Sequence, residues 1–303
     1  MSKQVFGGDW TEDKLARIRK YLPAYTTILS KYNYKYAYID AFAGTGYREL
    51  SDKELQGEDI QIPLFPELAE QDMQDFMDGS ARIALQADPR FHEYIFIEKD
   101  SSKTNELEKL KDEFPDKAKD IQIVNRDANN FLVDLCCNNN WKLNRAVLFL
   151  DPFGMQIPWS TIEAIAKTKA IDLWYLFPLG IAVNRLLTKD GNIQAAWRRR
   201  LDDIFGTNDW FEAFYKPIEQ ENQQLSLFDI DSSPKERIEK VANFDSISKF
   251  FVQRLETIFE GVAKNPLVLR NSCNNPLYLL CFASGNPKGS TTAIKIAQDI
   301  LKR

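Results

Sequence analysis

Four short apolar runs in this chain each close on a carboxylate: YAYID on Asp40, YIFIE on Glu98, IQIVNRD on Asp127 and AVLFLD on Asp151. The segments between them, DSSKTNELEKLKDEF, ANNFLVDLCCNNN and WSTIEAIAKT, carry helical spacing. Strand and helix in alternation predict parallel βαβ units, whose nearly continuous apolar strands are covered on both faces. Parallel strands put their carboxyl ends on one edge of the sheet, where ligands bind at the point at which strand order reverses. That edge is predicted to be lined with acid. Buried carboxylates are costly unless satisfied, so the repetition asks for a ligand rich in donors.

The rest of the chain fits one α/β unit. At 303 residues, 44% of them hydrophobic, a sizeable core is available, and we read residues 1–303 as a single domain. WTEDKLARIRKYLPAYTTILSKY predicts an N-terminal helix over 9–31, with Thr11 as its N-cap. IDLWYLF reads as a fifth strand, and residues from about 237 to 262 as a helix. LVLRNSCNNPLYLLCFASGNPKG reads as two strands joined by an Asn-Asn-Pro turn, before a closing helix. Two polar stretches interrupt the pattern, an insertion over 50–80 and a polar loop or insertion over 190–236. No apolar run approaches the roughly 18 residues of a membrane span. The N-terminus is too polar for a signal peptide, and Cys136, Cys137, Cys273 and Cys281 form no metal or disulfide framework, so a reduced, cytoplasmic protein is expected. The net charge of −5 is unusual for a free-standing nucleic-acid binder, which would need a local basic patch or a partner.

The turn after the first strand narrows the ligand. It holds Gly44-Thr45-Gly46 but has Glu49 where a dinucleotide fingerprint wants a third glycine, and a carboxylate sits badly against a diphosphate. S-adenosylmethionine has no phosphate, and its ribose hydroxyls, exocyclic amine and ammonium are donors seeking acceptors. The acid-lined edge suits it better than NAD. Asp40 could otherwise cap the following helix, and Asp127 the segment ANNFL.

The order of these pieces resembles the class I methyltransferases. YIDAFAGTG is similar to their motif I, which implies that Asp40, Phe42, Gly44 and Gly46 surround the methionine moiety, that Glu98 accepts the ribose hydroxyls, and that Asp127 meets the adenine amine. Asp151-Pro152-Phe153-Gly154 is similar to motif IV of amino-methylating enzymes, closest to the DPFG of tRNA guanine N2-dimethyltransferases. There the carboxylate and neighbouring carbonyls orient the target amine while an aromatic, here Phe153, stacks on the base. A narrower resemblance covers nearly the whole chain. WTEDKLARIRKYLPAY, YIDAFAGTG, FIEKD, LDPFG and DLWYLFPLGIAVNRLL, in that order, resemble the three-Cys-motif partner proteins, bacterial proteins named for a radical-SAM-like neighbour. The resemblance implies a class I methyltransferase-like fold, an S-adenosylmethionine cofactor and that radical-SAM-like three-Cys-motif protein as partner. One departure is the insertion between Asp40 and Glu98, which such units normally place about 20 residues apart.

Four further features stand outside these motifs. Asn184 and Arg185 follow the fifth strand, where they face substrate or cap a loop. Trp197-Arg198-Arg199-Arg200 is the dense basic run, suited to phosphates with a base on the indole or to a solvated helix face. Gln224–Phe228, QLSLF, is similar to the peptide with which bacterial DNA-processing proteins bind the sliding clamp; alternatively its Leu and Phe fold onto the chain's own core. His92, the sole histidine, precedes a strand on the side away from the acidic edge. The expected activity is N-methylation of an exocyclic amine of a nucleic-acid base. The alternative is a non-catalytic platform that kept the nucleoside pocket.

Overall fold

A computed structural model describes residues 9–43, 79–152, 154–218 and 237–302. Helix α1 (Asp9–Leu29) leads into β1 (Lys35–Ala41), and the helical residues 79–85 form α2. There follow β2 (Glu93–Glu98), α3 (Ser101–Glu113), β3 (Ile121–Asn125), α4 (Ala128–Asn138), β4 (Asn144–Leu150), α5 (Trp159–Lys167) and β5 (Ile171–Phe177). A wide helical turn, Leu179–Val183, runs into the short α6 (Asn184–Leu186). The remainder is α7 (Ala195–Phe205), α8 (Trp210–Phe214), β6 (Tyr215–Pro217), β7 (Ile238–Lys240), α9 (Phe244–Glu256), β8 (Gly261–Val262), β9 (Leu267–Arg270), β10 (Pro276–Ser284) and α10 (Ser290–Leu301).

The main sheet has the order β3-β2-β1-β4-β5-β10-β8, with β9 also paired to β10. The first five strands are parallel and β10 runs antiparallel to β5. This is the mostly parallel, class I methyltransferase-like α/β sheet expected from the sequence, antiparallel C-terminal strand included. Alternate residues of each strand feed two cores, as the period of two requires. Ile39, Ile95, Leu148 and Leu173 face α4, α5 and α9, whereas Tyr38, Tyr94, Phe149 and Trp174 face α1, α2 and α3. Phe177 and Phe251 close the first core with a parallel stack, ring centroids 3.8 Å apart. Strand order reverses between β1 and β4, whose registers align Asp40 with Phe149 and Ala41 with Leu150. A crevice outside the carboxyl ends of these two strands is where such a sheet holds its ligand.

Several boundaries differ from the sequence reading, each for a packing reason. α1 already runs at Asp9, so Thr11 lies inside it and is buried instead of capping it; Trp10, stacked on Tyr278 at 5.3 Å, anchors that extra turn. Residues 79 and 80, assigned to the insertion, are helical. Of the polar loop or insertion expected over 190–236, the first part folds as α7 and α8, which bury Leu201, Ile204, Phe205, Trp210 and Phe214. The helix expected over 237–262 is shorter. Residues 238–240 pair with β6, and Asn243 starts α9 with a capping box to Ser246, its side chain accepting from the Ser246 N–H at 2.9 Å. β3 ends at Asn125, which leaves Asp127 beyond the strand.

Candidate functional site

Asp40 is the last polar residue of β1 and is 1% exposed. Its Oδ2 accepts the Ser80 hydroxyl at 2.8 Å and the Tyr38 phenol at 3.2 Å. Burial, with some repulsion from Asp151, raises its carboxyl to about 7 against these two hydrogen bonds and the nearby Lys14 charge. Asp151 follows β4 on the same face of the sheet. Its Oδ2 receives Lys14 Nζ at 2.9 Å, and the lysine is 1% exposed. Burial pulls that ammonium down to about 8, opposed by the attraction of Asp151 and Asp40. The Trp10 and Phe149 rings lie 5.1 and 5.9 Å from Nζ, so the cation also meets aromatic faces. The switch point of the sheet thus holds two carboxylates bridged electrostatically by one buried lysine from α1.

Lys14 was not singled out in the sequence, although a signal was there. It stands four residues after Trp10 and four before Ile18, on the apolar stripe that packs α1 onto the sheet, and a lysine on such a stripe requires a buried partner. Ser80 and Tyr38 were missed as well. Tyr38 is recognisable as sharing the face of Asp40, two residues on; Ser80 reaches it only through the docking of α2.

Glu98 ends β2 and is 4% exposed. Its Oε1 accepts the Asp100 N–H at 2.7 Å, but the buried Oε2 has no hydrogen-bond partner among the described residues. Burial raises this carboxyl as well. The exit from β1 is fixed to the same strand end: the N–H groups of Phe42 and Ala43 both donate to the Ile97 carbonyl, at 3.1 and 2.9 Å. Phe42 holds a φ of 78°, a left-handed conformation costing about 1–3 kcal/mol for a bulky residue and one that gathers at functional turns. Asp127 takes the capping alternative. Its side chain accepts the Asn130 N–H at 3.1 Å at the start of α4, and Lys99 approaches it at 3.8 Å.

The remaining expected residues fall into three groups. Pro152 is buried and Gly154 takes a φ of 67°. Gly44, Gly46, Phe153 and the Gln224–Phe228 peptide lie outside the described residues. Asn184 binds within the fold: its carbonyl and its side-chain oxygen accept Lys240 Nζ at 3.3 and 2.8 Å, while Arg185 is exposed. Trp197 packs against the core and Arg198 lays its guanidinium 4.4 Å from the Phe211 ring, so two members of the basic run serve packing, and Arg199 faces solvent. His92 accepts the Tyr36 N–H through Nδ1 at 3.3 Å, at the amino end of β2.

Among the described residues no group of His, Cys, Asp and Glu could hold a metal ion, and no helix is long and apolar enough to cross a membrane.

Comparisons with solved structures return proteins of related fold. A Legionella pneumophila protein assigned to family-model DUF519 is 15% identical across 97% of this chain and 92% of its own, with a TM-score of 0.48. Spermidine synthase from Thermotoga maritima is 11% identical across 95% of this chain and 63% of its own, with a TM-score of 0.40. A putative methyltransferase from Escherichia coli is 14% identical across 54% of this chain and 69% of its own, at 0.26. No family model and no curated protein matches the sequence. None of these comparisons shows the three-Cys-motif partner family expected from the sequence motifs.

Proposed function

We propose that this chain binds S-adenosylmethionine at the carboxyl edge of β1, β2 and β4 and transfers its methyl group to an amine. The observation that carries the reading is Glu98, whose buried Oε2 has no hydrogen-bond partner among the described residues, at the strand end where this fold meets a ribose. A buried acceptor left unpaired costs about 1–3 kcal/mol, and two ribose hydroxyls would satisfy it. Asp40, beside the switch point, supplies the negative charge that suits the ligand's ammonium. When bound, the cofactor supplies an electrophilic methyl group. The protein's part is orientation: Asp151 and the backbone of the DPFG turn present the amine, and most of the acceleration comes from approximation. A base amine of nucleic acid is the acceptor class to which the DPFG turn is best suited. A radical-SAM-like three-Cys-motif partner belongs to this reading, because an acidic chain gains from a partner that contributes positive surface.

A second reading is favoured by one specific contact. The 2.9 Å pair with Lys14 already occupies Asp151 Oδ2, which leaves one carboxylate oxygen for a target amine and suits a platform that binds the nucleoside without turnover.

Calorimetric titration of the full chain with S-adenosylmethionine and S-adenosylhomocysteine tests the pocket. Saturable binding is expected, weakened at least tenfold by Glu98→Gln without loss of melting temperature. Absence of binding, or equal binding by the variant, would overturn the assignment. Radiolabelled methyl transfer to mixed nucleic acid, lost in Asp151→Ala, then separates enzyme from platform.

A further inference from the structure

A cavity of about 380 Å³ opens at the amino ends of the strands, between the C-terminal half of α1 and the start of α10. Asp172, on its wall, pairs in register with Val147, four residues before Asp151 and therefore ~13 Å along the sheet from it. The walls are mainly rings and aliphatic groups, among them Tyr21, Tyr25, Tyr34 and Ile296. Its size is at the low end of small-molecule sites, with room for about a dozen non-hydrogen atoms at water-like packing.

The polar groups of this cavity are mostly donors. Tyr25 is 6% exposed, and its buried hydroxyl has no hydrogen-bond partner among the described residues. Arg145 spends Nη1 on the Trp141 and Asn144 carbonyls at 2.8 and 2.7 Å and stacks its guanidinium 4.0 Å from the Tyr34 ring centre. Its buried Nε has no partner among the described residues. Lys288 adds a second positive charge. The one carboxylate, Asp172, is already engaged: it accepts the Tyr21 phenol at 2.7 Å on one oxygen and the Ser284 hydroxyl at 2.6 Å on the other. Gly289, Thr292 and Ala293 bring the beginning of α10 to the cavity, and this helix has neither a side-chain cap nor an acidic residue in its first turn. A helix N-terminus of that kind favours an anion.

We infer that this cavity is a binding site for a small aromatic monocarboxylate, its ring among the tyrosines and its carboxylate taking the Tyr25 hydroxyl, the Arg145 Nε–H and the start of α10. Two cations against one hydrogen-bonded carboxylate leave the wall net positive, which selects the acid over a neutral analogue. Donors that find no acceptor among the described residues distinguish this site from a plain apolar groove.

The test uses the full chain with indole-3-acetate and, as the neutral analogue, indole-3-acetamide, followed by ligand-observed NMR and calorimetry. The acid is expected to bind saturably and the amide at least tenfold more weakly. Tyr25→Phe removes only a hydroxyl that has no partner among the described residues, so the chain should fold and bind the acid at least fivefold more weakly. Ala293→Leu, at a half-exposed position, fills the cavity and should abolish binding. Failure of the acid to bind, equal binding of acid and amide, or wild-type binding by Ala293→Leu would each overturn the site. The acid–amide comparison needs no variant and decides the matter if Tyr25→Phe does not fold.

Discussion

Replacing Asp40 by Asn turns the buried charge at the switch point into a measurable pH dependence. In the folded chain burial holds this carboxyl near 7 instead of 3.8. At about 1.4 kcal/mol for each tenfold change in proton affinity, ionising Asp40 inside the fold opposes folding by about 4 kcal/mol once the pH is well above 7. The sign follows from proton counting. Between 3.8 and 7 the unfolded chain has released this proton and the folded chain keeps it, so stability falls as pH rises through that window. About 2 kcal/mol of the loss lies between pH 5 and 7. Asn retains what holds the side chain, since one oxygen, Oδ2, accepts both the Ser80 and Tyr38 hydroxyls. Urea unfolding of wild type and Asp40→Asn at intervals from pH 5 to 7 isolates the effect, because the other raised carboxyls, Glu98 and Asp172, are common to both proteins. The stability difference should move by about 2 kcal/mol in favour of the variant as pH rises. A difference constant across that range would mean that Asp40 ionises as freely in the fold as in water, and the description of the buried cluster would be wrong. The variant should also lose affinity for S-adenosylmethionine, so the buried charge is retained for binding at a cost in stability.

Other perturbations have equally definite outcomes. Lys14→Met leaves Asp151 and Asp40 together without their shared cation, and urea unfolding at pH 7.5 should show a loss of about 3 kcal/mol or more; a loss under about 1 kcal/mol would place the pair in solvent-screened surroundings. Gly180→Ala should destabilise by at least about 2 kcal/mol in the same assay, because a Cβ there would come 1.8 Å from the Pro276 carbonyl oxygen, a backbone atom with little freedom to retreat. An alanine tolerated without loss would show that the wide turn after β5 does not press on β10 as described.

The strands were legible because their signal is local. YAYID, YIFIE and IDLWYLF are apolar on both faces and bounded by polar helices, which only a doubly covered parallel sheet accommodates, and all three appear as β1, β2 and β5. Helices hidden inside polar stretches were legible only in part. α7 and α8 place Leu201, Phe205 and Trp210 among charges, so average polarity masked a stripe whose spacing was nonetheless helical. The start of the expected helix over 237–262 failed for another reason: residues 238–240 form strand only because β6 lies alongside, a contact no local pattern encodes.

The sequence by itself determined the acid at the strand ends, since a carboxylate following an apolar run in a βαβ unit lands on the carboxyl edge whatever packs around it. It left each acid's role open. Tertiary structure decided that Asp127 caps the first turn of α4, that Asp40 and Asp151 share Lys14, and that Glu98 Oε2 has no hydrogen-bond partner among the described residues. These outcomes depend on which helix docks over which strand end. Lys14 is 137 residues from Asp151 along the chain and 2.9 Å from it in space, and the charge that one places on the other exists only after α1 has covered the sheet.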